Sequence, residues 1–238
     1  MKPISEIFSL PGSAILKIDV LLRQALRELL FGYTKRFKNS NRYWKNNYSW
    51  GGNSGKGSRG EIAAEKADFV NLFCKTHNID TVVEFGSGDG VCASMINVGR
   101  YIGFDISDSA IKFAKDRCKN QNTHRFFNYD KLLPEKIRSL ISENKLSDNI
   151  MNISMDVMYH LVEDEMFNQY VDYLCGMPSK YVAVFATDFD TMAIRHCRNR
   201  AYSQVLINKY GLKLLLTQAL KSDKYWPDGE RPFKVFSR

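Results

Sequence analysis

The sequence lacks several features that would narrow its class. It has no uninterrupted apolar run of about 18 residues, so it predicts no transmembrane helix. Its first residues show no secretory pattern, because Glu6 and Pro11 interrupt them. Its five cysteines are scattered, odd in number and without a C-x-x-C pair. These absences predict a cytoplasmic chain with reduced thiols. They argue against a disulfide framework and a structural zinc site, and no bound metal is predicted.

Acidic residues are missing between Leu29 and Gly60, although the whole chain carries a net charge of +8. The segment's cations are Lys35, Arg36, Lys38, Arg42, Lys45, Lys56 and Arg59. Its aromatic residues are Tyr33, Phe37, Tyr43, Trp44, Tyr48 and Trp50. Cations interleaved with aromatic rings suit an anionic or stacked ligand, such as a nucleic acid, a sugar phosphate or a nucleotide-linked sugar. The same pattern equally describes a solvated arm whose rings pack on the domain.

Residues 13–31 place apolar side chains at helical spacing and charged ones elsewhere around the turn. This amphipathic helix could dock on the domain, form a dimer seam or lie on a membrane surface, so both a monomer and a homodimer remain open. Together with the basic segment it forms a predicted extension over residues 1–60. The predicted main domain covers residues 61–238.

Beyond residue 80 the pattern alternates between strands and helices. The predicted strands are 81–85, 101–105, 124–128, 150–157, 180–187, 212–218 and 232–237. The predicted helices are 61–76, 90–98, 108–119, 133–144, 163–175 and 197–209. This order predicts an α/β fold, a Rossmann-like open and mostly parallel seven-stranded sheet with helices on both faces. Ligands of such sheets bind beyond the carboxyl ends of the strands.

The most informative stretch is TVVEFGSGDG, residues 81–90. An apolar strand enters a turn in which glycines allow tight backbone geometry and leave amides open to a ligand. Asp105 ends the next strand, where a carboxylate can accept hydrogen bonds from both ribose hydroxyls. This is the layout of a nucleotide-binding βαβ unit. A strand–helix turn without a ligand is the plainer alternative.

The turn differs from a dinucleotide site, because Val91 stands where the third glycine of G-x-G-x-x-G is expected. With Glu84 two residues before Gly86, the run resembles the first motif of Rossmann-like methyltransferases that use S-adenosylmethionine. The resemblance implies that the acid receives the ammonium of this cofactor and the glycine amides its carboxylate. The residues it assigns to the cofactor are Glu84, Gly86, Ser87, Gly88, Gly90, Asp105, Ile106, Asp130 and Asp156.

Asp130 and His160 each allow two interpretations. The resemblance implies that Asp130 accepts a hydrogen bond from the adenine amino group, although an acid there is also an ordinary helix N-cap. His160 comes four residues after Asp156, where the fourth strand turns into a helix. Its unperturbed pKa near 6.5 suits a catalytic base that removes the proton of an acceptor hydroxyl. A capping or packing histidine is the alternative.

Two further segments are candidates for acceptor binding. Residues 51–58, GGNSGKGS, do not match a phosphate-binding loop, because Gly57 follows Lys56 where Ser or Thr is required. A mobile loop that closes over a ligand fits better. Residues 195–200 hold several cations that suit a phosphate or carboxylate, or that simply face solvent. The predicted acceptor residues are Tyr43, Trp44, Asn53, Ser54, Tyr159, Arg195, His196 and Arg198.

Taken together, residues 43–236 resemble bacterial S-adenosylmethionine-dependent methyltransferases, some of which are associated with surface-polysaccharide biosynthesis. The resemblance rests on the 51–58 loop, the glycine motif, Asp105, the run Met155–Asp164 and Arg195-His-x-Arg198. It implies O-methylation of a sugar or phosphoryl-type group of a glycan precursor, with S-adenosylhomocysteine as the product. An RNA methyltransferase and a non-catalytic cofactor-binding scaffold are the alternatives. Nucleic acid is the less expected partner, because no recognisable RNA-binding module accompanies the arm.

Overall fold

A seven-stranded sheet organises the part of the chain that the computed structural model describes, residues 37–143, 149–191, 196–223 and 231–238. Its strands are β1 (Thr81–Phe85), β2 (Arg100–Asp105), β3 (His124–Asn128), β4 (Ile150–Met155), β5 (Tyr181–Phe185), β6 (Lys213–Gln218) and β7 (Phe233–Ser237). Their order is β3-β2-β1-β4-β5-β7-β6. All neighbours from β3 to β5 are parallel, whereas β7 runs antiparallel to β5 and β6. The predicted fold class is confirmed.

The helices are α1 (Ser40–Ser49), α2 (Gly60–Thr76), α3 (Asp108–Arg117), α4 (Pro134–Ser142), α5 (Asp164–Gly176) and α6 (Tyr202–Tyr210). Every residue of β1 and β4 is buried, as expected for mostly apolar strands in the middle of a parallel sheet. One core cluster joins the sheet to α2 and α3 through side chains such as Val70 and Ala114. The other joins it to α4 and α5 through side chains such as Ile137 and Val171. No described helix is long and apolar enough to cross a membrane.

The predicted helix 90–98 is instead a single 3₁₀ turn, Ala93–Met95. Asn71 of α2 explains the difference. Its side-chain amide donates to the carbonyl of Met95 at 2.9 Å, and its Oδ1 accepts from the amide of Asn97 at 2.7 Å. Both backbone groups that a continuing helix would use are therefore bound to α2.

The predicted helix 197–209 begins later, at Tyr202. Two carboxylates hold its start. Asp190 accepts from the amide of Ala201 at 3.2 Å, and Asp188 accepts from the amide of Ser203 at 3.0 Å. Acidic side chains are favourable at this end of a helix, because its first amides have no partner within the helix. Residues 196–200 consequently precede the helix and are not helical.

Residues 39–238 form one compact unit. Helix α1 belongs to it. Ser40, its first residue, donates from its hydroxyl to Glu163 at 2.7 Å and accepts from the amide of Val162 at 3.1 Å. The predicted amphipathic helix 13–31, with Tyr33, Lys35 and Arg36, lies outside the described residues. The division into 1–60 and 61–238 stays a prediction.

Candidate active site

A cavity of about 310 Å³ opens at the carboxyl ends of β1, β2 and β4. Its volume lies within the range of small-molecule sites, and its place is where an open α/β sheet binds ligands. All predicted cofactor residues except Gly90 line it. So do His160, Trp44 and Ser54 from the predicted catalytic and acceptor sets. The residues that follow the four strands β1 to β4 therefore meet in one place, as the strand ends predict, and Trp44 and Ser54 join them from outside the sheet.

The glycine turn after β1 is shaped by close approaches of its neighbours. Gly88 has a φ of 57°, and a Cβ there would lie 2.3 Å from Oγ of Ser54. Gly90 has a φ of 76°, and a Cβ there would lie 2.8 Å from Cα of Ala114 in α3. Gly88 thus admits the 54–58 segment to the rim of the cavity. Gly90 packs the turn against a helix and does not line the cavity.

The amides of this turn are not open, contrary to the sequence-based expectation. Those of Gly86 and Ser87 both donate to the carbonyl of Phe104, at 2.7 and 2.9 Å. The amide of Gly88 donates to Oδ2 of Asp105 at 3.0 Å. Because buried amides need acceptors, the neighbouring strand β2 satisfies these groups. The turn therefore offers a ligand its shape and its carboxylate neighbours rather than free amides.

Asp105 lies buried at the end of β2, at the cavity wall. Its Oδ2 accepts from Gly88 and its Oδ1 accepts from the amide of Ser107 at 2.9 Å. Burial raises the pKa of Asp105 to about 6, against the lowering effect of these amides. Each carboxylate oxygen retains a further lone pair, so the group can still accept hydrogen bonds from a ligand in the cavity.

Glu84 is the second buried carboxyl group at the cavity. The hydroxyl of Tyr101 donates to its Oε2. Burial raises the pKa of Glu84 to about 7, although the Tyr101 hydrogen bond and Lys66 lower it. A carboxyl group that is costly to ionise in the free protein is suited to a cationic ligand, whose charge would favour the ionised form.

Asp130 sits at a more open part of the cavity, in the turn after β3. Its carboxylate pairs with Nζ of Lys45 from α1 at 2.6 Å. The side chain that caps this turn is that of Asn128, whose Oδ1 accepts from the amide of Asp130 at 3.0 Å. Capping is therefore not the role of the Asp130 carboxylate.

Asp156 is the centre of a buried charge cluster that the sequence does not reveal. Its Oδ2 lies 2.7 Å from Nζ of Lys66, and its Oδ1 lies 2.7 Å from Nη1 of Arg231. Burial alone would raise the pKa of Asp156, but these two cations hold it below its usual value. The hydroxyl of Tyr159 also donates to Oδ1 at 2.9 Å. Tyr159, a predicted acceptor residue, is thus buried beside Asp156 and does not line the cavity.

His160 lies in the 3₁₀ turn after β4, against aromatic rings. The ring of Trp44 meets it at 4.7 Å between centroids, nearly edge-on. The ring of His196 lies at 5.4 Å and is itself stacked on Tyr43 at 4.2 Å. Burial, together with His196, lowers the pKa of His160 to about 4. The imidazole is therefore neutral at pH 7, and it is a weaker base than its unperturbed pKa suggests.

Two basic residues after β5, Arg198 and Arg200, form ion pairs within the protein. Arg198 pairs with Asp164 at 3.0 Å, and Arg200 pairs with the same carboxylate and donates to the carbonyl of Val162 at 2.7 Å. Neither arginine lines the cavity. Arg195 lies outside the described residues. The acceptor roles of Arg198 and Arg195 stay predictions.

A polar chain that sequence reasoning missed connects α1 to the glycine turn. Ser54 donates to Oδ1 of Asp89 at 2.9 Å and shares a hydrogen bond of 2.8 Å with the hydroxyl of Tyr48. Arg59 pairs with the same Asp89. The nearby Asn53 is exposed and uses its Oδ1 to accept from the amide of Gly55 at 2.8 Å. The available signal was Asp89 itself within the glycine motif, since a carboxylate buried in such a turn needs a cation or hydrogen-bond donors.

Comparisons with known proteins bear on the fold. No protein-family model and no curated protein matches the chain. It is similar to the N-methyltransferase NodS from Bradyrhizobium japonicum WM9, crystallised with S-adenosylhomocysteine (TM-score 0.60, 14% identity, 84% of this chain and 99% of that one). It is also similar to the methyltransferase domain of bacterial CtHen1-C (TM-score 0.56, 18% identity, 73% of this chain and 97% of that one).

A third similar structure is magnesium protoporphyrin IX methyltransferase, ChlM, from Synechocystis PCC 6803 with bound S-adenosylmethionine. Its TM-score is 0.53 at 14% identity, over 87% of this chain and 96% of that one. At these identities the similarities establish a shared fold and nothing finer.

Proposed function

We propose that this chain is an enzyme, an S-adenosylmethionine-dependent methyltransferase that acts on a small polar acceptor. The observation that carries the proposal is the pair of buried carboxyl groups, Glu84 and Asp105, at the ends of neighbouring strands and at the wall of one cavity. Solved structures with the same fold contain this cofactor or its product. The fold alone does not assign the activity, so the argument rests on the residues of this site.

The charges of the cavity fit that cofactor, which carries a sulfonium and an ammonium against one carboxylate. Glu84 would bind the ammonium. This attraction would offset the free-energy cost of ionising the buried carboxyl group. Asp105 would accept from the two ribose hydroxyls, and Asp130 would contact the adenine edge. When bound, the cofactor supplies a methyl group activated by its positive sulfur. The positive charge of Lys66 does not repel this cationic ligand, because Nζ of Lys66 is paired with Oδ2 of Asp156 at 2.7 Å.

The acceptor would lie beside His160 and Trp44, the predicted catalytic and acceptor residues that reach the cavity. A methyl transfer needs the acceptor oxygen, the methyl carbon and the sulfur held in line. Aromatic rings that exclude water on this side would hold the acceptor in that position. O-methylation of a sugar or phosphoryl-type group in glycan biosynthesis is the finer proposal. One similar structure is named for magnesium protoporphyrin IX and another as an N-methyltransferase, so the support for a glycan acceptor comes mainly from the basic aromatic segment.

Calorimetric titration of the purified chain with S-adenosylhomocysteine tests the cofactor. We expect one equivalent to bind at micromolar concentration and NAD to produce no heat of binding. The absence of binding by S-adenosylhomocysteine would remove the roles of Glu84 and Asp105. If it binds, sugar phosphates and nucleotide sugars are then screened with labelled methyl donor. Transfer to none of the acceptors in such a screen would argue for a cofactor-binding scaffold.

A further inference from the structure

Three side chains with metal-binding atoms meet beside the cavity. They are His160 from the turn after β4, and His196 and Cys197 from the segment before α6. Their ligand atoms all lie within 4.8 Å of one another. Within the described ranges this is the one group of three or more such residues.

The closest measured pair already has the spacing of a tetrahedral centre. Nδ1 of His160 lies 3.5 Å from Sγ of Cys197. Zinc bonds of about 2.0–2.1 Å to nitrogen and about 2.3 Å to sulfur, opened to a tetrahedral angle, place the two ligand atoms about 3.5 Å apart. The distance between these two atoms is therefore that of two ligands of one ion, and binding would replace the contact of 3.3 Å between Nδ1 and the carbonyl oxygen of His196.

Two contacts hold the segments that carry the ligands. The amide of Arg198 donates to the carbonyl of Tyr159 at 2.7 Å, so a backbone bond joins the neighbours of Cys197 and His160. The amide of Asn199 donates to Oγ1 of Thr191 at 3.1 Å, and the amide of Thr191 donates to the carbonyl of Asn199 at 3.2 Å. These bonds join Thr191 to Asn199, which follows Cys197 by two positions. Tyr43 and Trp44 cover the two imidazole rings. Supports that orient a ligand and exclude water are typical of metal centres.

We propose that His160, His196 and Cys197 bind one divalent ion of the zinc type. Two imidazole nitrogens and one thiolate prefer zinc or cobalt, whereas magnesium and calcium prefer oxygen ligands. Three protein ligands leave a fourth position for solvent or for a substrate oxygen, which is the arrangement of catalytic rather than structural zinc. The sequence predicts no metal because its cysteines form no C-x-x-C pair, but this site joins residues 36 positions apart.

The role of the ion, unlike its binding, rests on the proposed function. An acceptor hydroxyl at the fourth position would lose its proton to solvent, because a bound cation stabilises the oxyanion. The oxygen lone pair would form the new bond to the methyl carbon. The electrons of the broken carbon–sulfur bond would return to sulfur, which gives a methyl ether, S-adenosylhomocysteine and one proton. His160 would then act as a ligand of the ion, and solvent rather than its ring would take the acceptor proton.

Cobalt(II) titration of the chain, purified without a histidine tag, tests the site. We expect one equivalent to bind, with the intense visible bands of a tetrahedral complex and a thiolate-to-cobalt charge-transfer band. One equivalent of zinc should displace it. The charge-transfer band should vanish in Cys197→Ala and in Cys197→Ser. Affinity should fall on the order of tenfold or more in His160→Gln and His196→Gln.

The chain supplies matched controls. His77 stacks on Phe73 and Cys118 is buried elsewhere, so His77→Gln and Cys118→Ala should keep the cobalt spectrum. Circular dichroism checks that each variant is folded. Failure to bind one equivalent, or a spectrum that survives the changes at positions 160, 196 and 197, would overturn the site. S-adenosylhomocysteine titrations on the same samples separate this result from the proposed function, since neither outcome predicts the other.

Discussion

Lys66 of α2 places its Nζ 2.7 Å from Oδ2 of Asp156, with both side chains buried. Arg231, just before β7, holds the other oxygen of Asp156 and also pairs with Asp223. An intact buried ion pair contributes little to the free energy of unfolding. Removing one partner is costly, because the other charge stays buried without compensation. The cluster holds the side chain of Asp156 next to the cavity, at a residue whose backbone has a φ of 60°.

The first prediction concerns this cluster. Lys66→Met should lower the free energy of unfolding by on the order of 3 kcal/mol, because Asp156 stays buried with one cation fewer. Urea unfolding measures the change. Lys209→Met is the matched control, since Lys209 forms an exposed pair with Asp172 and its loss should change stability little. Equal effects of the two substitutions would contradict the assigned role of Lys66.

The second prediction concerns Glu84 without a ligand. Its pKa is raised from 4.5 to about 7, so the folded protein binds a proton that the unfolded chain has released. Stability from this group is complete below about pH 4.5 and is lost as the pH rises to about 7. Glu84→Gln keeps an acceptor for Tyr101 and removes this loss. The variant should be more stable than the wild type above pH 7, by up to on the order of 3 kcal/mol.

Thermal unfolding at several pH values between 4.5 and 8.5 measures the difference between Glu84→Gln and the wild type. The difference should grow between about pH 4.5 and pH 7 and level off above pH 7. Asp105 has a shift of the same sign, with its pKa raised from 3.8 to about 6, but it is present in both proteins and largely cancels. A difference that is constant with pH would show that Glu84 is ionised in the folded protein.

The third prediction concerns ligand affinity. If an ammonium and two hydroxyls of the cofactor bind the ionised forms of Glu84 and Asp105, binding must release their protons at acidic pH. The association constant for S-adenosylhomocysteine should therefore rise between pH 5 and pH 8. Calorimetry in two buffers of different ionisation enthalpy counts the released protons.

Two substitutions separate the contributions of Glu84 and Asp105 to the affinity for S-adenosylhomocysteine and to its pH dependence. Glu84→Gln should remove the component centred near pH 7. Asp105→Asn should weaken binding on the order of tenfold or more above about pH 6, where the wild-type carboxyl group is ionised, because an amide cannot accept with both of its ends. Asp172→Asn, at an exposed position on α5, controls for loss of one negative charge. Affinity that is independent of pH in the wild type would separate these carboxyl groups from the ligand.

Local sequence patterns were sufficient to predict the fold and part of the candidate site. The strands were predictable because β1, β4 and β5 are short, apolar and buried throughout or nearly so, and the meeting of Glu84 with Asp105 follows from adjacent strand ends. Lys66 and Arg231 were not predictable, because they reach Asp156 across 90 and 75 residues of sequence. Nor could the hydrophobic periodicity of residues 90–98 reveal that the 3₁₀ turn Ala93–Met95 does not continue as a helix, since that depends on the side chain of Asn71 in α2.

The last prediction concerns the contact between the glycine turn and Ser54. Gly88→Ala puts a Cβ 2.3 Å from Oγ of Ser54, at a φ of 57° that an alanine rarely adopts. We expect a loss of about 1–2 kcal/mol of stability from the backbone strain. We also expect S-adenosylhomocysteine to bind on the order of tenfold more weakly, because Ser54 and Tyr48 must move away from the cavity rim. Gly176→Ala is the control, since a Cβ there meets nothing within 4 Å.

A second substitution, at Ser54, separates the effect of backbone strain at residue 88 from the effect of displacing residues 54–58. Ser54→Gly, combined with Gly88→Ala, removes the hydroxyl that the new methyl group meets but leaves the backbone of residue 88 where it is. If displacement of the 54–58 segment weakens binding, the double variant should bind S-adenosylhomocysteine more tightly than Gly88→Ala alone, while its unfolding free energy stays low. Equal affinities in the single and double variants would mean that the turn itself, rather than the segment lying over it, holds the ligand.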